Sequence, residues 1–285
     1  MHGIICVYKP CGVSSNFVLT QLKRNLNLKK LGHLGTLDPL ACGVLPVMVN
    51  KGTKLFDYYL NKTKVYRAIF TFGKETDTLD SEGVIIKKSD YIPSVEEINN
   101  IVSKMIGDLE QIPPNFSAKN VNGKRAYELA RKGEIFQLKP KKVKIEDFKL
   151  VKQINHASFL FEIVCSSGTY IRSLARDLGQ ILNSCAFMSA LIRVESGNFD
   201  ILKSTYYKDL TKDNVFDKII GLETLLESYK KIDLDKNLLK KVSNGVKLRV
   251  EHENTNDIIV FCDSKLIGIG DICNGELTIK TNLQV

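Results

Sequence analysis

The sequence predicts an α+β protein that ends in a small β-rich appendage. Three observations carry that expectation. Residues 169–182 repeat Ile171, Leu174, Ala175, Leu178 and Ile181 as one helical stripe. Residues 65–72 form a run of β-branched and aromatic side chains, the pattern of a strand. Beyond about Asp233, short apolar runs alternate with Asp-Ser and Asn-Gly turn signals.

In chain order, residues 3–8 read as a strand closed by the turn Lys9-Pro10-Cys11-Gly12. Ser14 or Ser15 then offers an N-cap, and Val18, Leu19, Leu22 and Leu26 follow at helical spacing. Residues 32–46 contain three glycines and two prolines, which exclude a regular helix or central strand across the stretch. Ser94-Val95-Glu96-Glu97 is a capping-box pattern, continued by Ile98, Ile101, Val102 and Met105. Residues 112–122, rich in Pro and Asn, read as loop, and residues 126–132 as a short helix closed by Gly133. Residues 143–150 and 159–165 read as a strand pair. In the tail, residues 258–261, 266–269 and 277–279 are the strand candidates. No internal repeat is visible.

The 285 residues leave room for one large domain, or a large and a small one, and 44% apolar content suits a folded core. The 41 Lys and Arg against 32 Asp and Glu leave a net charge of +9, which favours a polyanionic partner through phosphate contacts. The seven cysteines (6, 11, 42, 165, 185, 262 and 273) contain no C-x-x-C pair and read as reduced, mostly buried thiols. Four histidines without an H-E-x-x-H pair suggest no metal site. No apolar run is long enough to cross a bilayer, and the first ten residues lack the apolar stretch of a signal peptide, so the cytoplasm is the expected location.

The segment Gly32-His33-Leu34-Gly35-Thr36-Leu37-Asp38-Pro39-Leu40-Ala41-Cys42-Gly43-Val44-Leu45-Pro46 places one acid in a largely apolar loop. Such a loop packs against the body of the protein, where a carboxylate loses water and needs a nearby cation to stay charged. By pattern alone, Asp38 reads as a turn aspartate before a proline. The segment nevertheless resembles the G-H-x-G-x-L-D-P-x-A-x-G-V-L signature of the TruB family of pseudouridine synthases. Cys42 stands where Ser or Thr is usual. Further blocks follow in the family's order. Tyr8-Lys9-Pro10-Cys11-Gly12-Val13-Ser14-Ser15 resembles K-P-x-G-x-(T/S)-S, and Lys64-Val65-Tyr66-Arg67-Ala68 resembles K-x-Y-x-A. Residues 73–83 are similar to G-x-x-T-D-T-x-D-x-x-G. Pro113-Pro114-Asn115-Phe116-Ser117-Ala118, the Asn122-Gly123-Lys124-Arg125-Ala126-Tyr127-Glu128 stretch and Gly168-Thr169-Tyr170-Ile171-Arg172 each match a family block. A lysine usual in the family is replaced by Asn120, with Lys119 beside it.

The resemblance implies the residue roles. Asp38 becomes the catalytic carboxylate. Tyr66, which alternates with its neighbours so as to share a sheet face with Ala68, Phe70 and Phe72, becomes the aromatic that stacks on uracil and assists proton transfer; by pattern alone it is a core tyrosine. Arg172 falls in the first turn of its helix, beside the apolar stripe, where the helix dipole disfavours a cation; this suggests a carboxylate partner. In the family that partner is the catalytic Asp, met by a bidentate guanidinium. His33 is placed near the RNA, in space left by the extruded base, or else is a loop histidine bonding backbone. Lys9 is assigned to support or phosphate contact, Tyr170 to the pocket wall, and Leu191 to the substrate side.

The family's reaction isomerises uridine 55 in the T loop of tRNA to pseudouridine, on a base turned out of its stack. It demands no cofactor and no metal. The implied partner is the tRNA T stem-loop, bound through residues such as Lys124, Arg125, Arg131 and Lys132. Neither a membrane nor an obligate protein partner is implied, and the protein is expected to be a monomer. The implied fold is a catalytic domain over residues 1–234, with a large mixed, mainly antiparallel sheet flanked by helices, and a PUA-like β domain over residues 235–285. Two rival readings are an RNA-binding or tRNA-folding protein without catalysis on the same scaffold, and a synthase acting on another RNA stem-loop.

Overall fold

The computed structural model describes residues 1–121 and 123–284. Asn122, which opens one of the sequence blocks above, and Val285, the last residue of the expected C-terminal domain, lie outside them. The chain opens with β1 (Gly3–Lys9), then α1 (Ser15–Leu26), whose N-cap Ser14 accepts from Phe17 N–H and whose Val18, Leu19, Leu22 and Leu26 are buried. The short β2 (Leu31–His33) leads through a loop to β3 (Cys42–Val49). A short helix α2 (Phe56–Leu60) precedes β4 (Lys64–Phe72). The hairpin β5 (Lys74–Thr76) and β6 (Ile85–Lys88) follows, then α3 (Val95–Val102), which carries the complete Ser94–Glu97 capping box.

Strand β7 (Gly107–Gln111) precedes a small hairpin, β8 (Asn120–Val121) and β9 (Lys124–Arg125), and the helix α4 (Ala126–Arg131). The long strands β10 (Lys141–Gln153) and β11 (Ser158–Cys165) pair with each other before α5 (Ile171–Ile181). Strand β12 (Ala186–Ser196), the short β13 (Phe199–Asp200), β14 (Thr205–Tyr206) and β15 (Ile219–Gly221) complete the first sheet.

Among the described residues this sheet has eleven strands, in the order β14-β1-β3-β12-β4-β11-β10-β7, with β13, β15 and β2 attached to β12, β1 and β3. Only β1–β14 and β3–β12 are parallel contacts; the other pairs are antiparallel. Helices α3 and α5 cover one face, where Ile98, Val102, Ile171, Leu174 and Leu178 meet Phe70, Phe72, Phe148, Phe159 and Phe161. Helix α1 lies on β1 and β3, packing Val18 and Leu22 against Ile5, Val7, Leu45 and Val47.

A second sheet of five strands follows: β16 (Lys231–Leu234), β17 (Leu248–Arg249), β18 (Thr255–Cys262), β19 (Lys265–Cys273) and β20 (Glu276–Asn282), in the order β16-β18-β19-β20-β17. Its two tight turns are the Asp-Ser and Asn-Gly signals of the sequence. Asp263 and Ser264 have φ of 54° and 57°, and Asn274 and Gly275 have φ of 51° and 74°, the paired left-handed residues of a hairpin turn that follows strand twist. Ile259 and Ile269 of this sheet, with Leu283 just after β20, pack on Ile4, Val44 and Met48 of β1 and β3. With α1 on one face and the second sheet on the other, β1 and β3 are buried on both sides, so neither shows polar alternation.

The structure departs from the sequence expectations in several places, and β8 falls inside the stretch 112–122 read as loop. The end of the stretch 32–46, read as free of central strand, enters β3 with Gly43 and Pro46 inside it: the Pro46 carbonyl accepts from Leu34 N–H, and since a residue's N–H and C=O share one strand edge, its missing N–H faces away from β1 and costs no bond in that ladder. Strand β12 was not anticipated, because bulges between Met188 and Ala190 and between Arg193 and Glu195 break its alternation. Ile181 is exposed and Leu182 buried, since the helix ends there. The tail also carries a short helix, Leu239–Ser243, between its strands.

Gly43 begins β3 with φ of 107°, and a Cβ at that position would penetrate the Arg193 backbone of β12. Both effects oppose any side chain. Gly43→Ala is expected to lower stability by about 3 kcal/mol or more, read from urea unfolding; a loss below about 1 kcal/mol would show that the β3–β12 contact yields easily.

Candidate active site

Asp38 stands in the loop between β2 and β3, and the N-terminal block holds both of its flanks. Ser15 Oγ donates to Leu37 O at 3.1 Å and accepts from Leu37 N–H at 2.9 Å. Gly12 N–H donates to Pro39 O at 2.8 Å. Asp38 is also a turn residue, since its own carbonyl accepts from Ala41 N–H at 3.1 Å. Lys9 is fully buried beneath the loop, with Nζ donating to Pro10 O at 2.9 Å, Val13 O at 2.7 Å and Pro39 O at 3.5 Å. Its ammonium is thus occupied by backbone carbonyls on both sides of the turn. Burial pushes its ammonium down to about 8.

Arg172, 134 residues further on, reaches this loop from the first turn of α5. Its Nη2 donates to Asp38 Oδ1 at 3.1 Å and to Phe116 O at 3.1 Å. Nε lies 3.0 Å from Asp38 Oδ2 but is not aligned for a hydrogen bond, so one bond and one close charge contact join the pair, not the expected two-bond fork. On its other side, Nη1 donates to Thr78 O at 3.0 Å and lies 3.3 Å from Asp80 Oδ2. The Arg172 side chain is 5% exposed and Asp38 34%, so the carboxylate faces solvent with the cation behind it. The expected position beside the apolar stripe is corrected: Arg172 belongs to the buried face of α5.

Asp38, Arg172, Tyr66, Tyr170 and Leu191 line one cleft of about 340 Å³, joined by Lys64, Lys141 and Arg193. Tyr66 is buried on the β4 face that it shares with Ala68, Phe70 and Phe72, and burial raises its phenol above the ordinary tyrosine value. Tyr170 caps α5, its backbone held at both ends by Gln111, which accepts from Tyr170 N–H at 2.8 Å and donates to Tyr170 O at 3.1 Å. Burial raises the Tyr170 phenol too, opposed by Ser117 and Arg172.

His33 does not line the cleft; it ends β2 opposite Val47. Its Nδ1 is buried and has no hydrogen-bond partner among the described residues, and burial, then Arg193, lowers its pKa. The basic residues Lys124, Arg125, Arg131 and Lys132 are all exposed, with Arg125 Nη1 donating to Ala118 O at 2.7 Å and Arg131 over the Tyr127 ring.

Three residues of the site, Lys64 and Arg193 in the cleft wall and Asp80 behind Arg172, escaped the sequence reading. Asp80 is buried behind Arg172, its Oδ1 accepting from Thr78 Oγ1 at 2.6 Å and Glu82 N–H at 3.1 Å. Lys64 is buried with Nζ donating to Lys62 O at 2.7 Å and Leu60 O at 3.0 Å. Arg193 is 1% exposed, with Nε donating to Val44 O at 2.7 Å and Nη2 to Gly35 O at 3.1 Å. Asp80 and Lys64 lie inside sequence blocks already noted; Arg193 shares a face with Leu191, a signal hidden until β12 is known.

The family model described as "TruB family pseudouridylate synthase (N terminal domain)" matches residues 23–171. The chain belongs to the TruB family. It is 42% identical over 276 residues to tRNA pseudouridine synthase B of Clostridium novyi (strain NT), covering 95% of each chain. It is 41% identical over 270 residues to tRNA pseudouridine synthase B of Borreliella burgdorferi (strain ZS7), covering 94% of each. Its fold is that of a chain in the crystal structure of a Cbf5-Nop10-Gar1 complex, with TM-score 0.71, 22% identity, and coverage of 99% of this chain and 85% of that one. A chain of an H/ACA RNP bound to a substrate RNA containing 2'-deoxyuridine gives TM-score 0.72 at 21% identity, covering 99% and 85%. As in its family, the activity is that of an isomerase, a pseudouridine synthase.

Two expectations follow from the site. Ser15→Ala leaves the N–H and C=O of Leu37 without their buried partner, so a loss of about 1–3 kcal/mol in urea unfolding is expected, with turnover reduced more than substrate affinity; unchanged stability would show that the clamp is unimportant. Lys64 is held down to about 8 by burial and then Arg193, against an ordinary 10.5. Between those values the unfolded chain keeps a proton that the folded chain has released, so folding gains stability as pH rises. The urea midpoint of the wild type is therefore expected to climb relative to Lys64→Met from about pH 8 toward 10.5; a flat difference would contradict the burial of a strained ammonium.

Proposed function

We propose that this chain isomerises uridine 55 in the T loop of tRNA to pseudouridine, with Asp38 as its catalytic carboxylate. The single observation that carries the reading is the Asp38–Arg172 contact, with Nη2 to Oδ1 at 3.1 Å, in a cleft walled by Tyr66, Tyr170 and Leu191. The cleft volume, about 340 Å³, lies within the common range for bound small groups. The relatives covering 94–95% of the chain are named for tRNA, and a net charge of +9 suits a phosphate-rich partner.

The reaction moves the sugar bond from N1 to C5 of uracil and a proton from C5 to N1. Electrons neither enter nor leave, so the chemistry calls for no redox cofactor. Asp38 acts at the sugar or the ring: whether it adds as a nucleophile or removes a sugar proton, the same placement serves, a carboxylate presented to solvent and backed by a fixed cation. Tyr66 stacks on the flipped uracil and handles a proton of its ring. Tyr170 and Leu191 wall the base. Turning the base out of its stack costs about a few kcal/mol, which stacking and burial in the cleft offset. His33 lies beside the site on the RNA side, and Lys9 supports the loop.

Residues 1–234 form the catalytic domain in this reading, and residues 235–285 a PUA-like domain that adds contacts to RNA, with the exposed Lys124, Arg125, Arg131 and Lys132 along the T stem. The protein works as a monomer in the cytoplasm. No helix among the described residues is long and apolar enough to cross a membrane.

Tritium release from T-loop RNA labelled at uracil C5 tests the proposal. Asp38→Asn is expected to bind tRNA within about three-fold of wild type and to lose at least about a thousand-fold in turnover, ~4 kcal/mol of barrier. Unchanged release would remove Asp38 from the chemistry. Release from other RNA but none from T loops would reassign the substrate.

A further inference from the structure

We propose that Arg193 is the positioning residue of the Tyr66 phenol: a buried cation that fixes the phenol against the Asp38 loop and supports it when it gives up its proton. The reading of Tyr66 as the group that takes the uracil C5 proton rests on the function proposed above; the pairing of the two residues across β12 and β4 does not.

Arg193 on β12 and Tyr66 on β4 are directly opposed across adjacent antiparallel strands. Both are buried, at 1% and 7% exposure, and both line the cleft. Directly opposed residues on one sheet face bring their side chains together. The two carbonyls that Arg193 grips, Gly35 and Val44, bracket the loop that carries Asp38. One side chain thus stands opposite Tyr66 and grips a carbonyl on each side of the carboxylate's loop.

Its charge is the second observation. Arg172 faces two carboxylates, whereas among the described residues no carboxylate lies within ion-pair distance of Arg193. A guanidinium buried with only carbonyl partners is costly, and its uncompensated field acts on whatever stands beside it. That field opposes the upward push of burial on the Tyr66 phenol, and lowers the neighbouring Lys64 and His33. Arginine only donates, so in a hydrogen bond between the two groups the phenol oxygen accepts and its own proton points elsewhere.

The cation makes a phenolate tolerable inside the cleft. The Tyr66 phenol first gives its proton to solvent, and once the C5–C1′ bond has formed the phenolate takes the C5 proton. The C5–H electron pair closes the C5=C6 bond, and the N1=C6 pair moves to N1, which takes a proton from solvent. Tyr66 ends as the phenol it began as, and the net change is the transfer of one proton from C5 to N1.

The test uses the full chain. The tyrosinate absorbance of wild type minus Tyr66→Phe, followed over about pH 8–12, isolates the Tyr66 phenol. Repeated as Arg193→Met minus Arg193→Met/Tyr66→Phe, the curve is expected to move up by at least about one pH unit; superimposed curves would overturn the proposal. In single-turnover tritium release, Arg193→Met is expected to slow wild type at least about ten-fold, but the Tyr66→Phe protein less than about three-fold. Equal factors in the two backgrounds would leave Arg193 a purely structural residue. Should Arg193→Met fail to fold, Arg193→Lys, which keeps the charge and loses the fork, carries both comparisons with smaller shifts expected in the same direction. If wild type releases no tritium from tRNA, the proposed function fails, and the absorbance titration still decides whether Arg193 governs the phenol.

Discussion

The site depends on one buried guanidinium. Taking an arginine out of water costs several kcal/mol unless its charge and donors are met; Arg172 meets its charge with Asp38 and Asp80, and its Nη1 and Nη2 donors with Asp38 and the carbonyls of Thr78 and Phe116. Those groups come from three loops remote in sequence, so the requirement that Arg172 be satisfied holds them in one arrangement. Removing any one of them leaves a buried charge short of a partner, and that penalty makes the arrangement specific.

The remaining restraints on Asp38 come from the chain's N-terminal end. Ser15 fixes Leu37, Gly12 and Lys9 fix Pro39, and Asp38 between them has little freedom except at its carboxyl. The strands on which this depends, β1 and β3, are covered by α1 on one face and by the second sheet on the other. The C-terminal sheet therefore helps to support the floor beneath the loop, whatever it contributes to binding RNA. A rigid loop suits electrostatic chemistry, since a carboxylate already in place needs no reorganisation as the reaction begins.

Much of the fold was legible from local patterns. The Ser94 capping box, the Ser14 cap, the alternation through Tyr66 and the Asn274-Gly275 turn all appear where residue chemistry puts them. Such signals are short-range: a cap or a turn is decided by its own few residues. Strand β12 was missed because its two bulges reverse the faces, so no single period runs through it. With β12 hidden, Arg193 had no recognisable place, and Lys64 stood only as the first residue of a sequence block. Lys9 was open to a phosphate role because nothing local reveals that three carbonyls surround its Nζ.

By itself the sequence determined the family, the acid in its apolar loop, and the suspicion that an arginine in the first turn of a helix must have a carboxylate to meet. Each follows from residue type and near neighbours. Tertiary structure alone decided how Arg172 meets Asp38, that Asp80 shares the cation, and that a second arginine stands opposite Tyr66. Those are facts about side chains 92 or 134 residues apart, or on facing strands, and only the tertiary fold brings them within reach.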